Sequence, residues 1–179
     1  MPKHTIALGV TGSIAAYKAA DICSQLKKRS VESVVIMTES ALKFVGEQTF
    51  FTLSRNRVIT DLWDVNTWEP EHISLSDRAD LFLVAPATAN FIGKYANGIA
   101  DDALTTYALS HTGKVIIAPA MNYKMWQHPA VIRNCEILKE RGVEFISPIS
   151  GELACGDVGT GKLALVEDIV DKVITSLSN

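Results

Sequence analysis

The stretch TIALGVTGSIAAYK, Thr5–Lys18, decides the fold. Its first part, Thr5–Val10, is a short apolar run of the kind that forms a strand buried on both faces. From Ile14 to Lys28 the apolar residues Ile14, Ala15, Tyr17, Ala19, Ile22 and Leu26 recur at helical spacing. Gly9, Gly12 and Ser13 lie at the turn between the two. A buried strand passing through a glycine turn directly into a helix is the opening of a parallel α/β unit.

Working outward, the same alternation continues. Ser33–Met37, Asp80–Ala85 and Lys114–Ala118 are further apolar strand runs, and Val143–Ser147 is a weaker one. Helical patterns occupy Asn90–Tyr95, Asp102–Ser110, Ala130–Arg141 and the closing segment Val166–Leu177. Near-continuous apolar strands alternating with helices, joined by right-handed crossovers, predict an open parallel sheet. The expected architecture is a doubly wound α/β fold, Rossmann-like or flavodoxin-like, with helices on both faces. No linker, repeat or low-complexity tract interrupts it, so a single domain is expected over residues 1–179.

Composition narrows the function. The net charge of −3 offers no basic footprint for nucleic acid or an anionic membrane. No apolar run reaches the roughly 20 residues of a membrane helix. The segment MPKHTIALGVTGS has too short an apolar run, and no small-residue cleavage site, for a signal peptide. Cys23, Cys135 and Cys155 form no CxxC pair, which fits a reducing cytoplasm and predicts no structural metal site. Cys23 and Cys135, on helical patterns, are expected to be buried as small apolar residues.

In open parallel sheets ligands bind beyond the carboxyl ends of the strands. Those ends read GVTGSIAA, MTESA, APATAN and APAMN, all rich in residues small enough for backbone amides to meet a ligand. The turn at Gly12 and Ser13 meets a helix N-terminus, where free amides and the helix dipole favour a phosphate. The alternative is a plain tight turn with Ser13 as helix N-cap. It is not GxGxxG, and Thr38, Glu39 and Ser40 stand near the second strand's end, where hydroxyls suit a single phosphate and a polyol better than a dinucleotide.

Near the C-terminus, Gly156, Gly161 and Lys162 match G-x-x-x-x-G-K, but Leu163 replaces the required Ser or Thr and no strand-to-helix context is expected. The glycines are read instead as a mobile flap carrying Cys155, either exposed and reactive or buried and inert. His72, among Glu69, Glu71 and Asp77 and just before a short polar turn, is a candidate general base; its other reading is a hydrogen-bonded surface histidine. No HExxH or G-x-S-x-G occurs, which excludes those zinc peptidases and serine hydrolases.

Several of these stretches together resemble the flavin-containing cysteine decarboxylase family. APATANFIGKYANGIADD (Ala85–Asp102) resembles its PASANT motif, and APAMNYKMW (Ala118–Trp126) its P-x-M-N-x-x-M-W motif. ACGDVGTG (Ala154–Gly161) resembles the flap of the branch that decarboxylates phosphopantothenoylcysteine in coenzyme A synthesis, and GSIAAYK and the His72–Ile73 pair are also in place. The resemblance implies FMN as cofactor. It implies that Gly12, Ser13 and Ile14, with Thr38, Glu39 and Ser40, meet the phosphate and ribityl chain. Thr88, Ala89, Asn90, Phe91 and Ala120 are then implied to line the flavin. Asn122 would hold the substrate carboxylate with Lys18 as a further substrate contact, His72 would be the base, and Cys155 the proton donor. It also implies a homo-oligomer, a trimer or an assembly of trimers, with FMN at the subunit contacts, acting in the cytoplasm without nucleic acid or membrane. Thr88 keeps the hydroxyl of the family's serine, whereas Phe91 stands where the motif ends in threonine. Many bacterial relatives fuse this domain to a synthetase that makes the substrate; a separate protein is expected to supply that step here.

The implied chemistry is redox-neutral. Direct loss of CO₂ from a cysteine carboxylate leaves a carbanion with no electron sink. Oxidation at the thiol carbon to a thioaldehyde creates one, and CO₂ then leaves an enethiolate that is reduced and protonated. Asn122 would align the breaking bond. A flap cysteine is implied only where the reductive half is completed, so Cys155 favours phosphopantothenoylcysteine over a peptide C-terminal cysteine. The other readings are an oxidative peptidyl-cysteine decarboxylase and a flavin-binding regulatory subunit without activity. A flavin prenyltransferase shares the fold, but His72 and the PAMN stretch argue against it.

Overall fold

The computed structural model describes residues 4–62, 71–152 and 158–178, and only the backbone at 71–74 and 152. Strands β1 (His4–Val10), β2 (Val31–Met37), β3 (Val58–Ile59), β4 (Leu81–Ala87), β5 (Lys114–Pro119) and β6 (Glu144–Phe145) form a six-stranded sheet in the order β3-β2-β1-β4-β5-β6. Every pairing in it is parallel. The chain winds outward in one direction through β2 and β3 and in the other through β4, β5 and β6. The order therefore reverses between β1 and β4, which is the switch point where a crevice opens.

Alternation along the strands builds two apolar layers. Ile6, Leu8, Leu81, Leu83 and Ile116 pack on one face with helices α1 (Ala16–Lys28) and α9 (Val166–Ser178). Ala7, Phe82, Val84 and Ile117 pack on the other with α5 (Ala89–Ala96), α6 (Ala103–Ser110) and α8 (Pro129–Glu140). Phe82 anchors the second layer, its ring edge-on to Tyr107 at 5.0 Å. Each fully buried side chain of this size contributes about 1.5–3 kcal/mol. No helix among the described residues is long and apolar enough to cross a membrane.

Several elements differ from the sequence reading. The polar segment after residue 70 is a helix, α4 (Glu71–Arg78), and not a turn, because Leu75 and Ala79, four residues apart, are buried against the second layer. Short helices α2 (Glu39–Leu42), α3 (Glu47–Ser54) and α7 (Tyr123–Trp126) were not expected. The glycine-rich region read as a loop has strands on either side of Cys155, β7 (Ile149–Glu152) and β8 (Val158–Lys162), paired antiparallel. Cys155 lies outside the described residues, as does the side chain of His72. Cys23 and Cys135 are both buried free thiols, and burial pushes Cys23 up to about 11.

Candidate active site at the strand ends

A cavity of about 860 Å³ opens at the switch point. Its first wall is the β1–α1 turn. Ser13 does not cap α1 from the N-cap position, as the tight-turn reading had it: the N-cap is Ala15, and the Ser13 hydroxyl accepts the Ala15 N–H at 3.2 Å. The first turn of α1 carries no side-chain cap and no acidic residue. No acidic side chain therefore offsets the positive dipole end of this helix start, though the Ala16 and Lys18 N–H groups already bond the Ser13 and Ala15 carbonyls, and such an end favours an anion. Gly12 lets this turn approach the next wall: a Cβ there would lie 2.4 Å from Ser40 Cβ.

That next wall follows β2. Thr38 is the N-cap of α2, its hydroxyl accepting the Ala41 N–H at 3.2 Å, and its own N–H donates to the Val10 carbonyl at 3.1 Å. The third wall follows β4, where Thr88 caps α5 by accepting the Phe91 N–H at 3.3 Å. The Phe91 ring is buried in the second layer beside Phe82 and Tyr95. An apolar residue fits where the family motif has threonine because that side chain belongs to the core.

The fourth wall follows β5. The Ala120 N–H donates to the Ala87 carbonyl at 3.0 Å and the Met121 N–H to Gly161 on β8 at 2.9 Å. Asn122 caps α7, its Oδ1 accepting the Lys124 N–H at 2.8 Å, and an amide side chain carries NH₂ donors of the kind that suit a carboxylate.

The structure thus brings the expected strand-end residues around one cavity: Gly12, Ser13 and Ile14; Thr38, Glu39 and Ser40; Thr88 to Phe91; and Ala120. Asn122 and Lys18 line it too. His72 lies on α4 with its side chain outside the described residues, as is the whole of Cys155. Sequence reasoning missed Thr11, Tyr17, Met125 and an ion-paired group on the α5–α6 side. There Lys94 contacts Asp101 at 2.7 Å and Asp102 at 3.8 Å, and its hydrogen bond holds the Asp101 carboxyl below its usual range. The signal for this group was Lys94 on the same helix face as Asn90, four residues earlier. Gly161 and Lys162, discounted as a nucleotide loop, also line the cavity, but from a strand and not from a strand-to-helix turn. Among the described residues no group of acidic, histidine or cysteine side chains could hold a metal ion.

The cavity meets the demands of a flavin mononucleotide on this chain's own geometry. It has an uncapped helix start for the phosphate and hydroxyls for the polyol. Ile14, Tyr17 and Met125 add apolar faces, 59%, 61% and 47% exposed, for a ring system.

Comparison with known proteins agrees with this geometry. The chain is 52% identical over 168 residues to the coenzyme A biosynthesis bifunctional protein CoaBC of Bacillus subtilis, covering 93% of this chain and 41% of that protein. It therefore spans about two-fifths of the length of this bifunctional relative. It is 43% identical to a probable phosphopantothenoylcysteine decarboxylase of Streptococcus mutans, covering 94% of this chain and 96% of that one. Among solved structures, a mutant PPC decarboxylase complexed with pantothenoylaminoethenethiol superposes with a TM-score of 0.89 at 30% identity, covering 99% of this chain and 100% of that one. The family model described as Flavoprotein matches residues 1–178, and the chain belongs to that family.

Proposed function

We propose that the chain is an FMN-dependent carboxy-lyase that converts 4'-phospho-N-pantothenoylcysteine to 4'-phosphopantetheine in coenzyme A biosynthesis. The observation that carries this reading is the near full-length match to the Streptococcus mutans relative, over 94% of this chain and 96% of that one. The cavity supports it independently. Its uncapped α1 start and the Thr38 and Thr88 hydroxyls offer a phosphate and polyol cradle, and Asn122 stands at the opposite wall.

Flavin, when bound, supplies a reversible two-electron acceptor beside the substrate's thiol carbon. The chain's own residues do the rest. Ser13, Thr38 and Thr88 hold the phosphate and polyol. The Asn122 NH₂ group holds the substrate carboxylate and fixes the bond that breaks. His72, at the start of α4, removes a proton. Cys155 returns a proton to the carbon that CO₂ has left. Lys18 contributes a cation to the substrate end of the cavity.

Residues 1–179 then form one flavin domain working in the cytoplasm as a homo-oligomer, a trimer or an assembly of trimers, with FMN at the subunit contacts. The exposed Ile14, Tyr17 and Met125 at the cavity support a covering subunit. The test is mass spectrometry of the purified protein incubated with phosphopantothenoylcysteine. A product lighter by CO₂ alone supports the full cycle. A product lighter by CO₂ and two hydrogens would assign it to the peptide-type oxidative decarboxylases instead.

A further inference from the structure

The ladder between β1 and β4 runs from the pair Ile6 and Leu81 to the pair Gly9 and Val84 and ends there. Beyond it the two strands lead into opposite walls of the cavity, Gly12–Ile14 and Thr88–Phe91. One side chain spans the opening. Thr11 is 1% exposed, and its hydroxyl donates to the Pro86 carbonyl at 2.7 Å and accepts the Thr88 N–H at 3.0 Å. The register of β4 on its other neighbour, β5, shifts between Val84 and Ala87, the stretch that holds Pro86. The Thr11 hydroxyl thus acts as one additional rung, donating where a strand N–H would donate and accepting where a carbonyl would accept.

We infer that Thr11 is a positioning residue of the ligand site: its hydroxyl sets the separation of the two walls at the switch point and fixes the first turn of α5. Thr88, held through its N–H by Thr11, holds the Phe91 N–H through its own hydroxyl, so the constraint passes from β1 into the helix start that faces the ligand. The chemistry requires a hydroxyl. Serine can donate and accept in the same way, whereas valine keeps the shape and can do neither, leaving a carbonyl and an amide without their partner. For the identity of the ligand the inference rests on the flavin reading; for the geometry it rests on the two hydrogen bonds.

The experiment compares the full chain with Thr11→Val and Thr11→Ser by titrating FMN and following quenching of its fluorescence. Amide hydrogen exchange at Thr88 is measured in parallel. Thr11→Val is expected to weaken FMN binding about tenfold or more and to speed exchange at Thr88, while Thr11→Ser stays within about threefold of the parent. Val173→Ala, a buried α9 change away from the cavity, is the control for lost stability alone and is expected to keep parental FMN affinity. The inference is overturned if Thr11→Val binds FMN like the parent, if Thr11→Ser is as impaired as Thr11→Val, or if Val173→Ala loses as much affinity. Should Thr11→Val fail to fold, Thr11→Ala is held to the same criteria. A parent chain that binds no FMN would sink the flavin reading, and Thr88 exchange in the Val and Ser variants would then decide the role of Thr11 alone.

Discussion

The strand-end walls and the β7–β8 hairpin both border the cavity, yet they are fastened differently. The walls are continuations of a six-stranded parallel sheet, tied by long-range bonds from Thr38 to Val10, Thr11 to Pro86 and Ala120 to Ala87. The hairpin forms its own two-stranded sheet and reaches the site through β8, where the Gly161 carbonyl accepts the Met121 N–H. In the proposed reading the walls hold ligands, whereas the two residues that move protons come from other segments of the sequence: His72 at the start of α4, and Cys155 in the stretch between β7 and β8 that lies outside the described residues. On that proposal binding and chemistry should be separable by mutation.

The strongest test of that separation is His72→Asn. The variant is expected to retain the yellow flavin absorbance and to lose turnover by about 10²–10⁴-fold, the range for removing a general base. Absorbance spectra and CO₂ release measured on one preparation check it. Loss of flavin together with turnover would show that His72 supports the walls, and the division would fail.

Next comes Cys155→Ser, which divides the chemistry further. CO₂ release is expected to persist while saturated product disappears and a species two hydrogens lighter accumulates, read by mass spectrometry. Normal formation of saturated product would remove Cys155 from the proposed role.

The hairpin's fastening is tested by Gly161→Ala. A Cβ at this position would lie 2.2 Å from the Met121 carbonyl oxygen and 3.3 Å from the Asn122 carbonyl carbon, so the backbone under Asn122 must shift. The expected cost is about 1–3 kcal/mol in urea unfolding, together with a lower kcat, because Asn122, the residue proposed to hold the carboxylate, moves with its loop. Parental stability and kcat would mean that β8 is only loosely seated.

How legible these regions were in the sequence follows the same division. The central strands were visible because Leu81–Ala87 and its neighbours are apolar on both faces, which leaves little competing reading. The strand ends were visible because only small residues let backbone amides reach a ligand, and a glycine is required where Gly12 meets Ser40. By contrast, β3 is two residues long, and β8 reads VGTGK, a composition that resembles a loop. Its glycines serve close packing: a Cβ at Gly159 would lie 2.7 Å from the Tyr123 side chain. Helix α4 was hidden because Ser76, Asp77 and Arg78 are polar, and among the described side chains Leu75, with Ala79 just past the helix end, marks the buried face. Lys94 shares a helix face with Asn90, but its partners Asp101 and Asp102 come from the α5–α6 connection, a pairing that helix spacing alone does not encode.

The smallest expected effect belongs to the core rather than to either region, and it is the control for pH work on the others. His111 is buried in the second layer, its Nδ1 paired with the Tyr107 hydroxyl at 3.1 Å and its Nε2 with the Lys114 carbonyl at 3.3 Å. The Lys114 carbonyl can only accept, so Nε2 carries the hydrogen and Nδ1 accepts from Tyr107. Protonating Nδ1 would make the Tyr107 hydroxyl the acceptor and put a charge into the core, and burial lowers the pKa of His111 below its ordinary 6.5, with the Lys114 contact opposing in part. The neutral form is therefore the folded one. As pH falls through 6.5, the unfolded chain gains a proton that the folded chain accepts only at lower pH, so stability declines toward acid and is fully present above that value. The contribution cannot exceed about 1.4 kcal/mol per pH unit. Urea unfolding between neutral and mildly acidic pH should show a shallower loss of stability for His111→Gln than for the parent. Identical slopes would mean that His111 does not titrate differently on folding, and the acid sensitivity of turnover could then be assigned to His72 without a stability correction.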